Sequence, residues 1–186
     1  MRMQLGLASL FVIVLLGCRP STPEKGNDAL SLMGRLNQQG RYDQAIAVAQ
    51  DWMQKHTKDT SHNWEFFGQI AATYVVKAST DPAHKEEWLQ QAVAYYDKDL
   101  SVRPRRDVDI ELFEAGRGFE IAGDLSTANR CLYYGRAVKA FEEEMPFIQG
   151  DSYTAYGKTV PLEPIRQENE KALEGVKLKF TRAGCK

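Results

Sequence analysis

The chain has little that marks a catalyst, a metal centre or a nucleic-acid binder. Histidine is scarce: His56, His62 and His84 are the only three in 186 residues. A metal site needs three or four converging ligands, and the polar turn between His56 and His62 supplies no clear third. No Gly-x-Ser-x-Gly elbow is present, so a serine nucleophile has no strained turn to sit on. No glycine loop of the phosphate-cradling kind occurs either. Basic residues never run longer than Arg103-Pro104-Arg105-Arg106, which leaves no electrostatic footprint for nucleic acid. Glu86 and Glu87 fall on an exposed helix face, whereas a glycosidase needs two carboxylates flanking a cleft. Glu142-Glu143-Glu144 reads in the same way, as a solvated helix face. The expectation is a protein with no catalytic residue, no cofactor and no metal.

Long apolar runs are also lacking. The most apolar stretch, Leu5 to Gly17, falls short of the roughly 20 residues that a spanning helix needs. It follows a short start carrying one positive charge, Arg2, and ends on a small residue, Gly17. A basic start, a compact apolar middle and a small residue before the cut describe a secretory signal peptide. Removing residues 1–17 deletes Arg2 from a chain with 24 basic and 25 acidic side chains. What is left is one domain of ordinary size with a small net negative charge, long enough to bury a core.

Leu15-Leu16-Gly17-Cys18 resembles the lipobox of bacterial lipoproteins, with Leu16 bulkier than usual at the middle position. The resemblance implies that Cys18 becomes the lipid-bearing first residue of the mature chain. Residue 19 is Arg rather than Asp. In enteric-type bacteria Asp at that position resembles an inner-membrane retention signal, so Arg19 implies outer-membrane sorting, facing the periplasm. Each buried acyl methylene contributes roughly 0.8 kcal/mol, so two or three chains hold a protein to a bilayer. With Cys18 lipidated, Cys131 and Cys185 remain. In an oxidising compartment the two either pair, or stay as a buried free thiol at Cys131 and an exposed one at Cys185.

Residues 18–27 hold two Pro, one Gly and small polar side chains and read as a solvated tether. From Asp28 the pattern turns helical. Ala45, Ile46, Ala49, Trp52 and Met53 share one face at 3.6-residue spacing. Trp64, Phe67, Ala71, Tyr74, Val75 and Ala78 form a second stripe. Asp81-Pro82 predicts a helix start, and Pro104 a stop. Asp107 can cap the next helix, and Gly123-Asp124 predicts a turn after it. Residues 145–163, with Gly150, Gly157, Pro161 and three aromatics, predict a long, partly ordered loop. A last helix over about 164–182 places Ile165, Leu173, Val176 and Phe180 on one side, and Gly184 ends it. No strand pair is apparent, so the expected class is all-α.

Helix pairs at a near-constant interval suggest a solenoid. Leu112, Ala115, Gly116, Phe119, Gly123 and Ala128 resemble one tetratricopeptide repeat. Trp64, Phe67 and Gly68 match the first helix of another, and Ala92, Tyr96, Leu100 and Pro104 its second. Leu32, Leu36, Gly40, Tyr42 and Ala45 match an earlier unit more loosely. The chain departs from the pattern where Ala71 replaces an aromatic and where the hairpin between Tyr74 and Trp88 is longer than standard. The resemblance implies a right-handed α-solenoid of antiparallel helix pairs over residues 28–144. Residues 164–186 then supply a C-terminal capping helix and tail, because an open stack needs a polar cap.

In that family the concave face is the default binding surface. Mapped onto this chain it comprises His62, Glu65, Gln69, Thr73, Phe113, Arg117 and Glu120. The Lys/Asn constellation of the chaperone-tail clamp is missing, since Glu65 and Gln69 stand there instead. Mixed polar and aromatic character suits an extended peptide or a partner helix. The expected function is that of a non-catalytic protein–protein adaptor or assembly factor at the envelope. Two other readings stay open. One is a glycan, peptidoglycan or small-ligand binder that uses Phe147, Tyr153 and Tyr156. The other is an immunity lipoprotein that neutralises a toxin.

Overall fold

The computed structural model describes residues 25–58, 60, 63–102, 110–155 and 158–186. The segment expected to be a signal peptide, Cys18, most of the expected tether, His62, Pro104 and Asp107 lie outside the described residues. Seven helices account for most of the described chain: α1 (Gly26–Gln38), α2 (Tyr42–Lys55), α3 (Asn63–Thr80), α4 (Lys85–Val102), α5 (Ile110–Leu125), α6 (Arg130–Glu144) and α7 (Glu163–Arg182). The class is all-α, and successive helices pack as hairpins.

Each helix forms where an apolar face recurs at helical spacing. Ala29, Met33 and Leu36 of α1 are buried, as are Ala45, Ile46, Ala49 and Trp52 of α2. Gly40 forms the turn between α1 and α2. Its φ of 70° is open to glycine at no steric cost, and its N–H bonds to Asn37 O. The α3 stripe differs from the expected one. Phe66 and Ile70 are fully buried, while Trp64 and Phe67 are only half-buried. The reason is position: α3 packs on α1 and α2 on one side and on α4 and α5 on the other. A helix buried on two faces has no single stripe to read.

α5 is the most tightly held element. A Cβ at Gly118 would lie 2.2 Å from the Tyr96 ring of α4, and one at Gly116 2.6 Å from the Phe141 ring of α6. Gly123, expected in a turn, is helical and receives the Tyr134 ring, which would approach a Cβ to 2.4 Å. Three large rings thus enter α5 wherever a side chain is missing, which is close interdigitation rather than flexibility. The buried core runs in two clusters. One joins α1, α2 and the first half of α3, and the other joins the rest of α3 to α7; Tyr74 and Tyr95 touch both.

Two local arrangements depart from the sequence reading. Asp81 does not start α4, which begins at Lys85. Instead its carboxylate accepts hydrogen bonds from Ala83 N (3.2 Å) and Trp88 Nε1 (3.2 Å) and tightens the turn before the helix. Glu86, expected on a solvated face, is half-buried and spans to the α5–α6 turn. It accepts from Ser126 Oγ (2.8 Å), Thr127 N (2.8 Å) and Thr127 Oγ1 (3.3 Å). Ser126, wholly buried, in turn accepts from Asn129 N at 2.8 Å, ahead of α6.

The partly ordered loop expected over 145–163 contains a strand pair that the sequence reading did not include. Met145–Ile148 forms one 3₁₀ turn. β1 (Ser152–Ala155) and β2 (Lys158–Pro161) then pair antiparallel, with Tyr153 opposite Val160 and Thr154 opposite Thr159. The strands are only four residues each, too short for an alternating pattern to show. Arg166 secures the base of the hairpin by donating to Ile148 O (3.3 Å) and Gly150 O (2.7 Å). Ile148 and Leu162 form a small separate core beneath it, against Met145 and Ile165.

α7 lies against α6 and α5. Ala172 and Val176 enter the core, and buried Asn169 donates to Phe141 O at 2.9 Å. Lys179 bridges Glu120 (2.8 Å) and Asp124 (2.6 Å) of α5. Beyond the helix, Cys185 is joined to Cys131 at the start of α6, with the two Cα atoms 5.4 Å apart.

Candidate functional site

The hairpins bring the first helix of each pair side by side: α1 touches α3, and α3 touches α5. Between them opens a cleft of about 460 Å³. On α3 the spacing of Trp64, Glu65, Gly68 and Gln69 places all four on one face, one turn apart. α1 contributes Leu30 and Ser31, α4 Asp99 and α5 Glu114.

Gly68 defines the floor. A Cβ there would come within 3.2 Å of the Asp99 Oδ2. The missing side chain lets the Asp99 carboxylate, on a residue only 3% exposed, pack against α3 at the base of the cleft. Glu114 stands at the solvent-facing lip, where the cleft wall still strips enough water from its carboxyl to raise its pKa. Behind the floor lies the Tyr96 phenol. Its pKa is pushed up strongly by burial first, then by the charges of Glu114 and Asp99. Chemically the cleft offers hydrogen-bond acceptors, two neutral polar groups and an apolar wall.

The residues mapped by repeat resemblance scatter across the fold. Glu65 and Gln69 line the cleft. Thr73 is 1% exposed and ties α1 to α3, accepting from Asn37 Nδ2 and donating to Gln69 O, both at 2.8 Å. Phe113 packs on Phe141, with ring centroids 5.6 Å apart. Arg117 is exposed and pairs with Glu120 at 2.6 Å. Glu120 is buried between that guanidinium and Lys179, at the seam with α7. His62 lies outside the described residues.

Six lining residues were not among those expected: Leu30, Ser31, Trp64, Gly68, Asp99 and Glu114. Trp64 read as part of an inward stripe, because a half-exposed aromatic beside a cleft has the same spacing as one in a core. Asp99 had a signal, a carboxylate inside a stripe otherwise apolar at Ala92, Tyr96 and Leu100. Of the aromatics considered for glycan stacking, Phe147 packs on the main core, and the side chains of Tyr153 and Tyr156 lie outside the described set.

His56 stacks on Trp52 with ring centroids 4.4 Å apart, and His84 pairs with Asp81 at 2.8 Å. Among the described residues no three His, Cys, Asp or Glu side chains come together as metal ligands. No helix among them is long and apolar enough to cross a membrane. No family model, no curated protein and no solved structure matches this chain.

Proposed function

We propose that this chain is a lipid-anchored periplasmic protein whose helical body serves as a non-catalytic adaptor or assembly factor in the cell envelope. The observation that carries the reading is the cleft itself. Its walls come from α1, α3 and α5, the first helices of three successive hairpins, with α4 beneath. In a tetratricopeptide-like, right-handed solenoid those helices form the inner surface, which is where an extended segment of a partner docks. The neighbour relations α1–α3 and α3–α5 are the ones such a stack requires. The anchor rests on Leu15-Leu16-Gly17-Cys18, and the outer-membrane address on Arg19.

Two experiments test the two halves. Feeding cells an alkyne fatty acid labels the protein if Cys18 carries lipid, and Cys18→Ser abolishes the label. Labelling that survives Cys18→Ser sinks the anchor. Affinity purification from the native envelope, beside the Cys18→Ser and Gln69→Arg variants, tests the adaptor role. The expected result is a reproducible protein partner lost when the cleft is blocked. Recovery that does not depend on the cleft counts against the reading.

A further inference from the structure

The fastening of α7 is uneven along its length. Up to Val176 the helix is set into the fold: Asn169, Ala172 and Val176 are buried, and Asn169 donates to Phe141 O. After Val176 no residue of the helix is buried. Half-buried Phe180 lies over Gly135, where a Cβ would meet its ring at 3.7 Å. Lys177 pairs with Glu142, and Lys179 with Glu120 and Asp124, but the two lysines are 51% and 38% exposed. Ion pairs so open to water hold a helix weakly. The firm tie comes next. Gly184, with a φ of 73°, turns the chain out of the helix, and Cys185 is bonded to Cys131.

That bond lies at the surface. Cys131 is exposed and Cys185 half-buried, so a thiolate in solution can reach it. Exposed disulfides are the ones that exchange readily. The two sulfurs also have opposite electrostatic surroundings. Cys131 is the second residue of α6, at the positive end of that helix, and the first turn carries no acidic side chain. Glu86, which reaches the turn before α6, is already bonded to Ser126 and Thr127. Cys185 lies past the negative end of α7. Negative charge on sulfur is therefore favoured at Cys131, which makes it the better leaving group.

We propose that the Cys131–Cys185 bond is a redox latch, opened by a protein dithiol, that holds residues 177–186 against α5 and α6. One thiolate of the dithiol attacks the Cys185 sulfur, forms a mixed disulfide and expels Cys131 as a thiolate. The second thiolate of the dithiol then attacks its own chain's sulfur in that mixed disulfide, closes a new disulfide and expels Cys185, and both cysteines of this chain take up protons. Two electrons pass to this chain, and the dithiol is oxidised. The freed end lifts Phe180 from Gly135 and Lys179 from Glu120 and Asp124, which uncovers the seam between α5 and α6. The latch is independent of the cleft and of what docks there.

The test uses the full chain in detergent micelles without denaturant, incubated with a thioredoxin kept reduced by its reductase and NADPH. Alkylation mapped by peptide mass spectrometry is expected to mark Cys131 and Cys185 in the treated protein and neither in the untreated one. Hydrogen exchange is expected to quicken by about tenfold or more over residues 177–186, while residues 163–176 and α1 to α5 change by less than about twofold. Cys185→Ser is expected to show the fast exchange from the start and no further change with thioredoxin. Cysteines that resist alkylation until denaturant is added overturn the proposal. Exchange over 177–186 that is the same before and after reduction also overturns it, because the bond then holds nothing that its neighbours do not. Loss of protection that spreads through α1 to α5 overturns it as well, since the bond is then a support of the whole fold and not a latch.

Discussion

Removing the Glu86 carboxylate should loosen the α5–α6 turn from α4 and cost the fold several degrees of thermal stability. Glu86 accepts two bonds at 2.8 Å and one at 3.3 Å from Ser126 and Thr127. A hydrogen bond to a charged group contributes about 1.5–3 kcal/mol net. Glu86→Ala removes two good ones and leaves the hydroxyl of wholly buried Ser126 without its acceptor. Water reaching the half-exposed site recovers part of that loss, so the expected destabilisation is about 2–3 kcal/mol. For a domain of this size each kcal/mol moves Tm by about 2–4 °C, so the drop is about 5–10 °C. Far-UV circular dichroism during a thermal ramp reads it directly.

The pH dependence supplies a second readout. Burial raises the Glu86 pKa, but the bonds from Thr127 N, Ser126 Oγ and the neighbouring groups outweigh it, and the net shift is downward. A carboxylate with a lowered folded-state pKa stabilises fully above its unfolded value of 4.5 and loses that contribution as pH falls through the folded one. The gap between wild type and Glu86→Ala should be widest near neutral pH and close in acid. Glu86→Gln, which keeps one acceptor oxygen, should fall between them. A Tm change under about 1 °C at pH 7, or a gap that widens in acid, would refute the reasoning.

Three further perturbations probe other parts of the fold. Gly118→Ala drives a methyl into the Tyr96 ring, 2.2 Å away, and should destabilise by about 1–3 kcal/mol in urea unfolding, more than Gly34→Ala, which meets open space. Cys185→Ser opens a covalent loop with a sequence separation of 54 and should cost roughly 2–4 kcal/mol, a difference that disappears when both proteins are measured in reductant. Thr73→Val leaves half-buried Asn37 Nδ2 without its acceptor and should cost about 1 kcal/mol by the same assay.

Helix faces with one neighbour were legible from spacing, as Ala45, Ile46, Ala49 and Trp52 illustrate. Those with several neighbours were not. On α3, Phe66 and Ile70 point one way and Ala71, Val75 and Ala78 another, so counting at 3.6 residues picks out only one of two buried faces. Glycine was misread where its role depends on a distant ring: Gly123 sits beside Asp124 in a pair that looks like a turn, yet Tyr134 explains it. Glu86 shows the same limit for charge, because its partners lie 40 residues away. For the cleft, Glu65 and Gln69 were reached by repeat resemblance, and Asp99 and Glu114 were not. A resemblance transfers positions on one helix, whereas a cavity is defined by how several helices approach.

The bond between Cys131 and Cys185 closes a covalent ring that contains α6, the β-hairpin and α7. Tension applied beyond Cys185 therefore enters the fold at the start of α6 and bypasses the rest of α6, the hairpin and α7. Those three elements are mechanically slack under load, held by contacts such as those of Lys179, Asn169 and Arg166 rather than by the line of force. The stack of α1 to α5 carries the strain, and the cleft lies within that stretch.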